Sequence, residues 1–264
     1  MNQNDTNFDI NQRFGFLNDL TSMVVCGVTP SLIVTGEGGL GKTHSVTKTI
    51  ESNDLETAEY VFFKGYSTAR GLYNTLFDNN GKLIIFDDCD SVLDDKVAVN
   101  ILKSALDSYE KRTISWMAKM NKSDEYPQHF DFTGRIIFIS NKSKEKIDEA
   151  ILTRSLTVDL TMTPDDKVTR MESILGNILP EYDMDVKQDA LGFLKSVKDE
   201  VSLNMRMLIM VTKMRLMYPD TWRNLATIWL NHNRKEATSL FFYSINQSFI
   251  CLNLGPALII SGSN

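Results

Sequence analysis

Ser31 to Thr35 (SLIVT) is a short apolar run rich in β-branched side chains, and the chain passes from it directly into Gly36-Glu37-Gly38-Gly39-Leu40-Gly41-Lys42-Thr43. This segment fits G-x-x-x-x-G-K-[ST], and the residues after it, Thr43 to Glu51, have helical spacing. A strand, a glycine-rich turn and a helix N-terminus in that order make a phosphate cradle. The glycines let the backbone wrap closely with its N–H groups pointing inward, and the helix N-terminus adds partial positive charge. In such a cradle Lys42 reaches the β- and γ-phosphates and the Thr43 hydroxyl ligates magnesium. A chance match to the four fixed positions in a chain this long is on the order of one in a hundred, before the flanking strand and helix are counted.

Three further apolar runs follow: YVFFK at Tyr60 to Lys64, KLIIF at Lys82 to Phe86 and RIIFI at Arg135 to Ile139. None alternates with polar residues, which is how strands buried on both faces of a parallel sheet read. LTVDL at Leu156 to Leu160 supplies a fifth strand, interrupted by Asp159. Helical patterns lie between them, at Gln12 to Cys26 (Phe16, Leu17, Leu20, Met23, Val24), Ala69 to Phe77 and Val97 to Tyr109. Alternating strand and helix predict an α/β domain over 1–162. From Thr163 the texture changes: an N-cap threonine, Pro164 at the first helical position and two carboxylates open a purely helical region over 163–233. Its helices are expected near Pro164 to Leu179, Asp185 to Val197, Leu203 to Met217 and Thr221 to His232.

The third apolar strand runs into Asp87-Asp88-Cys89-Asp90. Parallel sheets place ligands at the carboxyl ends of their strands, so Asp87 is the candidate to hold the magnesium and Asp88 to orient or deprotonate an attacking water. Asp94 and Asp95 read as surface or capping residues. Gly36, Gly38 and Gly41 also satisfy G-x-G-x-x-G, but a dinucleotide fold needs an acidic residue after the second strand, where this chain has Lys64 and Gly65. The Lys42-Thr43 pair would then be without a purpose.

Composition narrows the remaining choices. With 28 basic and 34 acidic residues the net charge is −6, which opposes non-specific nucleic-acid binding by the whole surface and leaves room for a local basic stripe. Cys26, Cys89 and Cys251 are too far apart for a disulfide framework or a thiolate zinc site, so a reducing compartment is expected. The opening MNQNDTNFDINQRF has neither a basic n-region nor an apolar core, and a cytoplasmic location follows as the expectation. His44, His129 and His232 are scattered without a second ligand at metal spacing. The methionines of 205–217 and Trp116, Trp222 and Trp229 read as packing residues. The tail, 234–264, has no charged residue from Thr238 onward. Asn246, Gln247, Asn253, Gly255 and Pro256 weaken its reading as a membrane span, and a segment docking on the body or a partner, or an appended tail, fits its composition as well.

From Gln12 to Tyr218 the chain resembles ATPases of the AAA+ superfamily, with some wording (LKSALDSYEKRTISW, GRIIFISN) similar to bacteriophage members. The resemblance rests on the two motifs above and on three more matches. RIIFIS ends in Asn141, where the family has its sensor-one residue. IDEAILTRS and SLNMRML resemble the segments that carry the arginine finger and the sensor-two arginine, which implies those roles for Arg154 and Arg206. It implies a P-loop NTPase fold with a five-stranded parallel sheet and a small helical lid. The nucleotide would be held by Gly36, Glu37, Gly38, Gly39, Leu40, Gly41, Lys42 and Thr43, with His44 beside them. It also implies hydrolysis of ATP with Mg2+ by Asp88, Asn141, Arg154 and Arg206 at the subunit interfaces of a ring or open spiral, a hexamer being the expected form, acting on a protein or nucleic-acid client and no membrane.

Two departures qualify the implied activity. Asp88 stands where the family more often has Glu, and the missing methylene sets the base further from the water; a nucleotide-dependent switch or loader with negligible turnover is the alternative. Glu37-Gly38 replaces the family's usual proline, and GEGGLGKT is also similar to signal-transducing NTPases with NACHT or NB-ARC modules. Two loops are open to two readings each. Arg112 to Thr133 is either a hairpin whose Lys119, Lys122, Tyr126 and Phe130 grip a single strand of nucleic acid, or a solvated loop with one buried aromatic. Lys64-Gly65-Tyr66 either faces a client at the centre of the ring or packs Tyr66 under the next helix.

Overall fold

The computed structural model describes residues 8–107, 111–117 and 126–231; the uncharged tail, Lys119 and Lys122 lie outside them. In chain order the elements are α1 Ile10–Val25, β1 Ser31–Thr35, α2 Lys42–Ser52, β2 Tyr60–Lys64, α3 Ala69–Asp78, β3 Leu83–Asp87, α4 Ser91–Asp94, α5 Lys96–Ala105, β4 Arg112–Ser115, β5 His129–Phe132, β6 Arg135–Ile139, α6 Glu149–Leu152, β7 Leu156–Asp159, α7 Pro164–Ile174, α8 Met184–Ser196, α9 Met205–Met217 and α10 Trp222–Asn231. Five strands form one parallel sheet in the order β2-β3-β6-β1-β7, while β4 and β5 pair antiparallel by themselves.

The predicted strands are all present: β1, β3 and β6 are buried on both sides, while the edge strands β2 and β7 are half-buried. Alternate residues divide between two cores. Leu32, Val34, Ile85 and Ile137 pack with Phe14 and Leu17 of α1 and Val46 and Ile50 of α2. Ile33, Ile84, Phe86 and Phe138 face the other way, onto Leu72, Tyr73 and Leu76 of α3 and Ile101 and Leu102 of α5. A third cluster, centred on Met171, Leu194, Leu208 and Trp222, belongs to the helices after Pro164. Among the described residues no helix is long and apolar enough to cross a membrane.

Local chemistry explains where elements start. Asp9 caps α1 by accepting from Asn11 N and Gln12 N, and the Gln12 side chain returns to Asp9 N, so the helix opens before Gln12. Its buried face runs through Ile10, Phe14, Leu17 and Val24; Phe16 and Met23, which the periodicity groups with that face, are exposed. Asp95 caps α5, as expected of a capping residue, and Val97 in the first turn is exposed. Thr163 and Asp166 form a capping box on α7.

Each of the two loops left open by the sequence loses one of its readings. Phe130 is buried, edge-to-face with Tyr73 and Phe77, and so is core rather than a stacking platform; Tyr126 donates to Asp78 and packs on Phe77. Conversely, Tyr66 does not pack under α3. It is 82% exposed.

Candidate nucleotide-binding site

The glycine-rich loop leaves β1 at the carboxyl edge of the sheet. Gly36 has φ +127°, and a Cβ there would sit 2.8 Å from the carbonyl carbon of Leu160, where the chain leaves β7. No other residue fits so close an approach. The loop ends at Gly41, and α2 begins at Lys42.

Lys42 is buried and turned inward. Its ammonium donates to the carbonyl oxygens of Gly36 and Glu37 (2.8 Å for the latter) and to Asn141 Oδ1 at 3.0 Å. Burial lowers its pKa to about 8, against the upward pull of Asp88, Asp87, Asp90 and Glu37. Thr43 Oγ1 donates to Asp87 Oδ1 at 2.9 Å. A buried carboxylate beside a hydroxyl at a helix N-terminus is a hard-oxygen pair of the kind that completes a magnesium shell together with phosphates, so these residues fit that ion.

Asp88 follows in the left-handed region, φ +56°, which for a non-glycine residue stores strain. Its carboxylate accepts from Asn141 Nδ2. The end of β6 is itself fastened: Asp90 accepts from Ser140 Oγ (2.6 Å) and from Asn141 N (3.3 Å), which aims Asn141 between Lys42 and Asp88. From the helical region, Met205 N donates to Gly39 O at 2.9 Å, and Met205 and Arg206 join Gly38 to His44, Asp87, Asp88 and Asn141 around a cavity of about 310 Å³. Lys167 of α7 forms an ion pair with Glu37.

Arg154 lies elsewhere. It precedes β7, whose Leu156 pairs with Leu32 near the start of β1, and Ser155 Oγ accepts from Ser31 Oγ at 2.9 Å. The loop is at the other end of β1, roughly 15 Å away along a five-residue strand. Arg154 Nη1 donates to Ala150 O, and its buried Nε has no hydrogen-bond partner among the described residues.

Three contacts of this site are absent from the sequence reading: Lys64 Nζ on Asp87 Oδ2 at 2.8 Å, the Asp90 clamp and the Lys167–Glu37 pair. The first follows from register, since Lys64 and Asp87 are partners in the β2–β3 ladder. A lysine ending one strand and an aspartate ending the next was the signal.

No family model matches the chain. An uncharacterized 36.7 kDa protein from the nrdC-mobD intergenic region of Enterobacteria phage T4 is 31% identical over 182 residues, covering 63% of this chain and 56% of that one. The chain thus spans little more than half the length of this curated relative. Among solved structures, a point mutant of RuvB from Thermotoga maritima aligns over 84% of this chain and 69% of its own, with 16% identity and a TM-score of 0.55. The T. maritima RuvB Holliday junction branch migration motor aligns over 94% and 77%, with 16% identity and a TM-score of 0.50. The five-stranded parallel sheet with flanking helices and the helical region after it thus form a RuvB-like fold.

Proposed function

We propose that the chain binds Mg-ATP in the cleft beneath α9 and hydrolyses it to remodel or move a macromolecular client. One observation carries this reading: Lys42, the Thr43–Asp87 pair, the Asp88–Asn141 pair and Arg206 reach one cavity from four separate stretches of the chain, the starts of α2 and α9 and the ends of β3 and β6. Loop N–H groups and Lys42 bind the phosphates, Thr43 and Asp87 hold the magnesium, and His44 contributes its backbone at the helix N-terminus. A magnesium ion held there would offset the charge of the phosphates. Asp88 accepts the proton of the attacking water, which Asn141 orients, and Arg206 draws the helical lid toward the γ-phosphate. Arg154 is too far from its own loop to help there, so it serves a neighbouring subunit in a ring or spiral.

A second reading is a nucleotide switch. Asp88 is short, strained and already engaged by Asn141, which favours slow turnover. Steady-state phosphate release, with and without single-stranded DNA or an unfolded protein, separates the two. DNA is tried first, because RuvB, a neighbour in fold, is a branch migration motor. Nucleotide binding without measurable turnover under every condition leaves the switch; absence of nucleotide binding overturns both.

A further inference from the structure

Asp87 has both carboxylate oxygens engaged: Oδ1 by Thr43 and Oδ2 by the Lys64 ammonium at 2.8 Å. The aspartate side chain is 5% exposed and the lysine 61% exposed, so one end of the pair is in the cleft and the other in the loop that follows β2. The end of β2 and that loop are laced to the segment after Asp87 at one further point each. Cys89 Sγ donates to Phe63 O at 3.5 Å, and Ser91 Oγ both accepts from Ser67 N and donates to Ser67 O at 3.3 Å. Between these anchors Gly65 has φ +93°, which turns the chain outward and leaves Tyr66 in solvent.

We propose that Lys64 is the resident counter-ion of Asp87, setting the affinity of the cleft for magnesium and tying the position of the Tyr66 loop to it. This rests on the Mg-ATP reading above. A nearly buried carboxylate without a cation is costly, and Lys64 supplies the charge while the metal is absent. When a divalent cation takes up Asp87, Lys64 is left facing a like charge at close range and gives up its contact. The end of β2 then keeps its backbone ladder to β3 and the Cys89 and Ser91 contacts but loses the side-chain tie next to Gly65 and Tyr66. Coupling of this kind is reciprocal: an anionic or aromatic client that draws Lys64 and Tyr66 away from Asp87 raises magnesium affinity by the same factor.

The test uses the full chain, ADP and magnesium chloride, with two readouts. Calorimetry gives the magnesium concentration at which ADP binding is half-enhanced, and mass spectrometry follows chymotryptic cleavage after Tyr66. In Lys64→Met, which keeps the aliphatic stem, that concentration is expected to fall about five- to tenfold. Cleavage after Tyr66, promoted by Mg-ADP in the wild type, should become fast with or without magnesium. Lys64→Arg, which can restore the pair, should behave as the wild type. An unchanged or raised magnesium requirement in Lys64→Met, with ADP still bound in EDTA, overturns the role of Lys64 and leaves the nucleotide site standing. Failure of the wild type to bind ADP with or without magnesium overturns the site and this inference together.

Discussion

Glu37 in the glycine-rich loop forms an ion pair with Lys167 of α7, whose ammonium also donates to Ser202. The two ends are not equivalent. The Lys167 side chain is 6% exposed and that of Glu37 is 50% exposed. Removing the glutamate charge therefore strands a buried cation, whereas removing the lysine leaves a carboxylate that water can solvate. Glu37→Gln should cost about 1–3 kcal/mol and lower Tm by several degrees, while Lys167→Met should cost less than about 1 kcal/mol. Thermal denaturation of the nucleotide-free protein decides; equal effects of the two changes would mean the pair is solvated at both ends.

Lys42 carries the pH dependence of the cleft. With a folded pKa of about 8 against 10.5 in the unfolded chain, the unfolded chain holds a proton the folded one has lost between those values. Stability from this group therefore rises with pH across that window, and the burial penalty is fully present below pH 8. Phosphates placed against the ammonium reverse the shift, so Lys42 should contribute an uptake of about half a proton at pH 8 that is missing from Lys42→Met and fades toward pH 6.5. Calorimetry in buffers of different ionisation heat measures this directly. Lys42→Ala should abolish ATP binding without unfolding the chain, and retained affinity would place the phosphates elsewhere.

Asp87 and Asp88 are adjacent in sequence but differ in surroundings: one is buried between Thr43 and Lys64, the other exposed and held by Asn141. Asp88→Asn keeps the metal partner and removes the proton acceptor, so ATP affinity should stay within about threefold while turnover falls by about 10²-fold or more. Asp87→Asn should instead remove the magnesium dependence of binding. If the two variants exchange these phenotypes, the roles are reversed.

What is legible in the sequence follows from how each feature is encoded. The three inner strands are readable because burial on both faces demands unbroken apolar runs, the edge strands β2 and β7 keep enough of that pattern to be found, and the loop is readable because its glycines, Lys42 and Thr43 lie in one short segment. The buried face of α1 is not, since Phe16 adjoins Leu17 and Met23 adjoins Val24, and spacing alone does not choose between neighbours. Phe130 misleads for a related reason. An aromatic among lysines reads as a nucleic-acid contact until pairing of β5 with β4 turns it onto Tyr73 and Phe77. Asp90 on Ser140 depends on strand order, which is set by crossover connections and leaves no mark on either residue, and the strand-end signal of Lys64 and Asp87 becomes a contact only once β2 is known to pair with β3.

Arg154 gives the test of assembly. It sits at the amino edge of the sheet, roughly 15 Å from its own phosphate loop, and half-buried against its own helix it retains an unpartnered Nε. If it completes a neighbour's site, a subunit lacking it still offers an intact pocket, and a subunit lacking Lys42 still offers an intact arginine. Arg154→Ala should bind ATP with near-normal affinity and lose turnover by about 10³-fold. Mixing Arg154→Ala with Lys42→Ala protein should then restore a fraction of wild-type turnover, because some interfaces join the good pocket of one to the good arginine of the other. Wild-type specific activity should also rise with protein concentration as subunits assemble. No rescue in a mixture shown by light scattering to co-assemble would exclude Arg154 as the residue donated across the interface.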